Sequence, residues 1–537
     1  MDEIRRSKAP SSRFNKPCIL IIDITGNDGL CIKKTVVAAI ERFAYKGVAS
    51  NLVTFLTQEL NMTSAAAAKS VNSWYGVNSM LPLLGAFLAD SYWDRYSTIF
   101  CSSLLYLLGL VALTSWAMLC TWMPVMTLFL PLYLISTAQG GYNPSLQAFG
   151  ADQLDGDEEH CQPPSVNINR DDGNSNSKEK SWFFQWWYFG ICSGSLLGNS
   201  LMSYVQDTYG WMLGFTIPTM AMGISVLCFA VGSRCYVHKQ KRQNATIKLV
   251  PSDGEGVEIE MRPILDPIVN IATGLDHQSP APAPPLPTLS VIKVLSSLLP
   301  IWTVLLMFAV IFQQPSTFFT QQGMAMKHTI GKTNFKIPPA SLQSSITISI
   351  IVLMPLYDRL IIPSIRLLSG NVKGITIFQR IGIGMFFAIM AMVVAAVVEW
   401  KRTKNIFEEG KLSIFWLLPQ YVLLGISDVF TVVGMQEFFY TQVPSTMKSI
   451  GIGVYLSVFG VGSFLGSFFI TAIEFFTCEK DPAGGACWFS DDMSKAKLYK
   501  YYSLLATAGS VSFLMFLYNC QHFHVTSSFS YHLQDGK

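Results

Sequence analysis

The sequence predicts an all-α membrane protein whose twelve transmembrane helices form two pseudo-symmetric six-helix bundles. Three observations predict it. Charge is scarce: the 537 residues carry 38 Lys and Arg and 35 Asp and Glu, 14% of the chain, where about 25% is usual in a soluble protein. Twelve long, nearly uncharged runs recur, each near the ~20 apolar residues needed to cross a bilayer. The longest polar stretch falls midway, between the sixth and seventh runs. The shortage of charge excludes a typical soluble enzyme and a disordered scaffold. A net charge of +3 gives no footing for a nucleic-acid binder. The 11 Cys lack metal-ligand spacing, so neither a zinc module nor a disulfide framework is indicated.

The runs lie near 31–57, 73–90, 98–119, 124–150, 182–205, 211–232, 294–314, 339–357, 377–399, 413–437, 448–473 and 499–519. The first is interrupted upstream. Cys18–Ile22 is apolar, but Asp23, Gly26, Asn27, Asp28 and Gly29 break it, and no cleavage pattern follows. Lys33 and Lys34 sit where the span begins, placed to snorkel to the interface. A polar insert, Asp155–Lys180, follows span four and reads as solvated. The stretch 233–290 opens with Arg234, His238, Lys239, Lys241 and Arg242 and ends in Pro280–Pro287. This is a linker composition, partly polyproline-like and disordered.

The expected organisation is therefore an N-terminal segment (1–30), a first bundle (31–232), a linker (233–293), a second bundle (294–519) and a tail (520–537). An even span count puts both termini on one side. Arg5, Arg6, Lys8 and the linker's basic cluster make that side cytosolic. Lys401, Arg402 and Lys404 fall on the other face and weaken the signal. An internal echo supports two related halves around a central site. GAFLADSYWDR (Gly85–Arg95, including Asp90) closes the turn after span two, and LYDR (Leu356–Arg359, including Asp358) closes the turn after span eight. Gly85, Asp90, Arg95, Asp358 and Arg359 are the candidate gating and turn residues.

The chain resembles the peptide transporter (POT/PTR) family of the major facilitator superfamily, its plant nitrate/peptide branch above all. The resemblance rests on ERFAYKG (41–47), FGADQLD (149–155), FFQWWYFG (183–190), STFFTQQG (316–323), QRIGIG (379–384), QEFFY (436–440) and Val443–Pro444. These lie in both halves and cover about residues 35 to 520. The resemblance implies the major facilitator fold, a central cavity and proton-coupled uptake of small solutes: di- and tripeptides, nitrate, or small organic anions and hormones.

Charges inside a span are functional candidates. On span one, Ala38, Glu41, Arg42 and Tyr45 share a face by i, i+3 and i+4 spacing. Glu41 and Arg42 either pair to hold helices together or work on the solute. The family motif there is Glu-x-x-Glu-Arg, and here Ala38 replaces the first Glu. The family also commonly carries a Lys in a Gly-Gly-x-Lys-Pro segment of span four. Here that segment is Gly140-Gly141-Tyr142-Asn143-Pro144, with Asn143 in the Lys position. One carboxylate and one ammonium are absent together, which avoids leaving a buried charge unpaired at about 3–5 kcal/mol. The matched loss puts the usual proton coupling in doubt and disfavours peptides. Glu41 and Glu437 are the proton-coupling candidates, the latter matching a family acid that faces the cavity or else closing a gate as a charge pair. Asp428 precedes it on the same helix, with Ser427 able to satisfy it. Arg42 is the candidate anion contact, because its planar fork suits nitrate or a carboxylate. Tyr45, Asn143, Gln313 and Gln314 complete the substrate-binding set, although the two Gln equally mark an exit from lipid. Phe312 stands about where one branch of the family has a nitrate-binding His.

Smaller signals remain. Cys478 and Cys487 flank an outer loop and are either bonded or free. Asn61-Met62-Thr63 is a glycosylation sequon close to the membrane, and Asn244-Ala245-Thr246 falls on the cytosolic side. Trp182, Trp186, Trp187 and Tyr188 read as an interfacial belt. The seven His lie in loops or at span ends, and no His/Asp/Glu cluster has metal spacing, so the chain is not read as an enzyme and no metal or cofactor is expected. The expected function is secondary active transport by alternating access, with nitrate or a small organic anion as the solute and protons as a second partner. The alternatives are a peptide or hormone transporter of the same family, or a sensor that has lost transport. The expected location is the plasma or vacuolar membrane. The oligomeric state is not legible.

Overall fold

A computed structural model describes residues 27–91, 95–119, 122–160, 189–231, 247–249, 259–261, 288–329, 335–361, 363–364, 375–408, 412–443, 448–477 and 487–534, apart from 491 and 494. The apolar stretch 18–22, the aromatic cluster 182–188 and most of the linker lie outside them.

Span one is two helices, α1 (Asn27–Ala49) and α2 (Leu52–Gln58). The break falls at Ser50–Asn51. An Asn side chain competes with the helical backbone for hydrogen bonds, and here Asn51 Nδ2 donates to Gln206 Oε1 (3.1 Å) and to Asp207 Oδ1 (3.3 Å). Gln206 Nε2 in turn donates to the Gly47 carbonyl (2.7 Å). Spans two, three and four are α3 (Ser64–Ser91), α4 (Arg95–Met118) and α5 (Phe129–His160). α5 continues beyond the expected end at 150, so the first residues of the presumed solvated insert are helical. At 1.5 Å per residue its 32 residues reach about 48 Å, well past a ~30 Å hydrocarbon core.

Span five comprises α6 (189–197), a π turn (Gly198–Met202) and α7 (Ser203–Tyr209). Gly210, at φ 94°, makes the left-handed turn into α8 (Trp211–Val231). In the linker β1 (Ile247–Leu249) pairs antiparallel with β2 (Ile259–Met261), with Lys248 registered opposite Glu260. This departs from the disordered linker expected there. Both segments alternate apolar and polar residues, the period of a strand, in runs too short to stand out.

Span seven is also discontinuous: α9 (Thr288–Phe312), a 3-10 turn (Gln314–Ser316) and α10 (Phe318–Met324). Pro315 lacks the N–H a continuous helix needs. The helical stretch of this span does not end at 314 but continues through Met324. Span eight is α11 (Ser344–Leu356), entered by a 3-10 turn (Pro339–Gln343) and left by a π turn (Tyr357–Ile361). Spans nine to twelve are α12 (Ile377–Glu408), α13 (Leu418–Thr441), α14 (Lys448–Thr477) and α15 (Leu498–Gln534). α15 carries helix into most of the expected tail.

Eight of these spans are long and apolar enough to cross a membrane over their described residues. The other four, one, two, four and five, hold more polar residues or run into residues outside the described set. Together they make the twelve-helix fold. Among the described residues there are two large apolar cores. One joins Tyr45, Phe55, Trp74, Tyr106 and Phe215; the other joins Phe308, Phe318, Ile381, Phe438 and Phe516, and also takes in Ala65 and Ala68 of α3. The bundles meet along two seams. On one, α3 packs on α14, with Gly76 under the Phe464 ring and Gly460 against Met80. On the other, Cys192 of α6 packs with Ile350 of α11 and Val429 of α13.

The three cations on the presumed outer face are each engaged. Arg402 is buried and donates from Nε to Glu399 Oε2 (2.8 Å), and from Nη2 to Glu399 Oε1 (2.6 Å) and the Met493 carbonyl (2.7 Å). Lys401 Nζ sits 3.9 Å above the Trp416 ring, and Lys404 Nζ 5.7 Å from Trp400. Cys487 is disulfide-bonded, while Cys478 lies outside the described residues. Asn61 is exposed at φ 50° between α2 and α3.

Candidate functional site

The site is built on α1, where the first bundle faces the second. Ala38 and Tyr45 belong to the first apolar core, and Glu41 is buried beside them. Its carboxylate is held from the side: Gln139 Nε2 of α5 donates to Oε1 at 2.7 Å. The other oxygen lies 3.8 Å from Arg42 Nε, which is too long for a hydrogen bond. The Arg42 side chain keeps 25% of its surface open. Its Nε makes no hydrogen bond, and its Cζ stands 5.8 Å from the Tyr45 ring. Glu41 is thus committed within its own bundle, while the guanidinium is only loosely engaged.

Tyr45 is positioned by Asn78 Nδ2, which donates to its hydroxyl (3.1 Å), and by edge contact with Tyr75. Tyr75 leads to the second bundle, because Ser316 Oγ donates to its hydroxyl at 3.3 Å. Lys46 of α1 and Asp428 of α13 lie within electrostatic reach of each other, one from each bundle.

The other expected residues fall in separate places. Asn143 is half-buried on α5, next to Pro144. Gln313 is half-buried, with a buried Nε2 that has no partner. Gln314 is buried in the second bundle, donating to the Val310 carbonyl (2.9 Å) and Tyr501 hydroxyl (3.4 Å). It stands at the helix break of span seven. Phe312 stacks between Phe308 and Phe459. Glu437 is 46% exposed and pairs with Arg380 of α12 at 3.3 Å; Arg380 also lies over the Tyr357 ring. Among the motif residues, Gly85 lies within α3 and not in a turn. A Cβ there would run into the backbone of Gly140, so glycine is needed for helix contact. Asp90 is in the last turn of α3, and Arg95 opens α4. Asp358 and exposed Arg359 belong to the π turn ending span eight.

Gln139, Asn78 and Lys46 were not among the expected residues. Lys46 lies within ERFAYKG, four positions from Arg42, so an i, i+4 reading of that motif had the means to find it. The two amides carry no comparable signal. The described residues hold no group of His, Cys, Asp and Glu able to bind a metal.

The POT family profile (PTR2) matches residues 96–251 and 288–488. Protein NRT1/ PTR FAMILY 5.9 of Arabidopsis thaliana is 44% identical over 93% of this chain and 96% of its own length. NRT1/ PTR FAMILY 5.10 of the same plant is 40% identical over 89% of both. The POT family transporter PepTSo superposes with a TM-score of 0.68 at 19% identity, covering 92% of this chain and 98% of PepTSo. A POT family transporter in complex with 5-aminolevulinic acid gives 0.64 at 14% identity, over 93% and 98%. These likenesses show the fold, and the sequence matches show the family. The chain is a multi-pass membrane transporter of the POT family, in its NRT1/PTR branch, and not an enzyme.

Proposed function

We propose that the chain carries nitrate or a small organic anion across the plasma or vacuolar membrane, held by Arg42 between the two bundles. One observation carries this reading. Gln139 donates to the Glu41 carboxylate, whose other oxygen stays 3.8 Å from Arg42 Nε, and the Arg42 guanidinium is part-exposed with its Nε free of hydrogen bonds. A planar, permanently charged fork in that state suits a planar anion. Alternating access moves the bundles about this point. Protons are the second partner, with Glu41 the acid closest to the anion contact. Ala38 and Asn143 remove the family's usual Glu and Lys, so the coupling is altered.

A second reading is favoured by Lys46 and Asp428. An amine and a carboxyl group on facing bundles, within electrostatic reach of each other, suit a solute bearing both signs, and similar transporters were crystallised with alafosfalin and 5-aminolevulinic acid.

Uptake by Arg42→Ala and Arg42→Lys in proteoliposomes tests the anion contact. Losing one charge-assisted hydrogen bond, about 1.5–3 kcal/mol, raises KM roughly 10- to 150-fold in Arg42→Ala. Arg42→Lys keeps the charge, loses the fork and falls between. Unimpaired uptake in Arg42→Ala refutes the assignment. Asp428→Asn lowering uptake of zwitterions but not of nitrate favours the second reading.

A further inference from the structure

At one end of the molecule the two bundles are joined by several contacts. Gln321 Nε2 donates to the Ser64 carbonyl (2.9 Å), and Gln343 Nε2 to the Ser50 carbonyl (2.8 Å). Tyr204 stacks on Phe335 with centroids 5.6 Å apart. Lys69 Nζ of α3 meets Glu474 Oε2 of α14 at 2.6 Å, across 405 residues of sequence. All these residues lie towards the ends of spans one, two, five, seven, eight and eleven that face away from the termini. The structure is closed at that mouth.

The Lys69–Glu474 pair differs from the others in two ways. It is the charged contact among them, and, unlike the buried amide contacts of Gln321 and Gln343, both its side chains are about a third open, 31% and 28%. Ser73 and Ser467 approach within 3.5 Å one turn further in, and Ser467 Oγ donates to the Lys69 carbonyl (3.1 Å), so the pair tops a polar stretch of the α3–α14 seam. Opposite charges near water attract across a few ångströms and re-solvate cheaply when parted. Such a contact closes a mouth without trapping it. The Glu399–Arg402 pair is the opposite case: fully buried and within one helix, it has no reason to open.

We propose that Lys69 and Glu474 form a charge latch that holds the mouth facing away from the termini closed and parts once in each transport cycle. The proposal rests on the alternating-access reading above and is independent of which solute moves. Lys69 and Glu474 belong to different bundles, so the mouth opens only when the pair separates. The latch therefore sets the fraction of time that this mouth is open.

The test uses the full chain in intact cells. Ser50 is fully buried, with its hydroxyl unpartnered and its carbonyl bonded to Gln343, so Ser50→Cys reports opening of the mouth. Labelling by a membrane-impermeant maleimide is followed in that background, and the chain without Ser50→Cys sets the baseline for native thiols. Lys69→Glu and Glu474→Lys are each expected to speed labelling roughly 2- to 5-fold. The exchanged pair, Lys69→Glu with Glu474→Lys, is expected to return it to the parental rate. Lys69→Gln and Glu474→Gln give a smaller increase and serve if a reversal keeps the chain from the cell surface. Unchanged or slower labelling in the single variants overturns the latch. So does acceleration that the exchange fails to reverse. Uptake measured in parallel separates the two readings: labelling that responds as expected in a chain that moves no anion keeps the latch and removes the solute assignment.

Discussion

Replacing Arg402 tests whether a buried ion pair organises the outer part of the second bundle. Glu399 and Arg402 expose 0% and 1% of their side chains. Arg402 makes two hydrogen bonds to Glu399 and a third to the Met493 carbonyl, so α12 holds the segment leading into α15. Arg402→Met strands a carboxylate in a dry site, which costs about 3–5 kcal/mol. Replacing both, Glu399→Leu with Arg402→Met, removes both charges and leaves neutral groups, the Met493 carbonyl and the Gln322 amide beside Glu399, short of a partner at about 1–3 kcal/mol. The double variant is therefore more stable than the single one. Melting of the three chains in detergent, followed by tryptophan fluorescence, reads the order: parent highest, double variant next, Arg402→Met lowest. A double variant that melts at or below Arg402→Met refutes the argument, because the carboxylate would then not be stranded by the loss of Arg402.

Gln139→Leu removes the hydrogen bond that holds the Glu41 carboxylate from α5. Uptake should fall within about tenfold of the loss in Glu41→Gln, and the double variant should fall no further, since coupled residues are not additive; independent losses would count against Gln139 as the residue that positions Glu41. Gly194→Ala would push a Cβ into the Ala39 carbonyl and to 3.0 Å from its carbon. Because backbone cannot give way, surface expression or uptake should drop with a cost of about 1–3 kcal/mol. Gly382→Ala, whose nearest neighbour is 3.6 Å away, should behave as the parent, and equal losses in both would refute the packing argument.

The spans were legible because lipid imposes a length and a composition. Span six was expected at 211–232 and runs Trp211–Val231. The breaks were less legible. Asn51 and Pro315 are plain in the sequence, but a broken helix needs partners, and Gln206 is 155 residues from Asn51. The helix ends beyond the apolar runs were also missed, because an apolar pattern marks the lipid-crossing length and not the helix, and α5 and α15 continue past it. Glu41 and Arg42 stood out as charges in a run that excludes charge. Gln139 did not, because a neutral amide on a long helix gains meaning only from the carboxylate it meets. Glu437 was conspicuous for the same reason as Glu41, yet it stands against Arg380, part-exposed.

The two ion pairs differ in when each can form during synthesis. Glu399 and Arg402 are one helical turn apart, so they neutralise each other as soon as that turn coils. The helix then enters the bilayer carrying a compensated pair, which lowers the barrier a lone charge would raise. Lys69 must wait for Glu474, which is made hundreds of residues later. Until then the first bundle stands in the membrane with its half of the closure unmet. A ribosome stalled before residue 474 would leave a membrane-inserted, incomplete chain whose Lys69 still faces water.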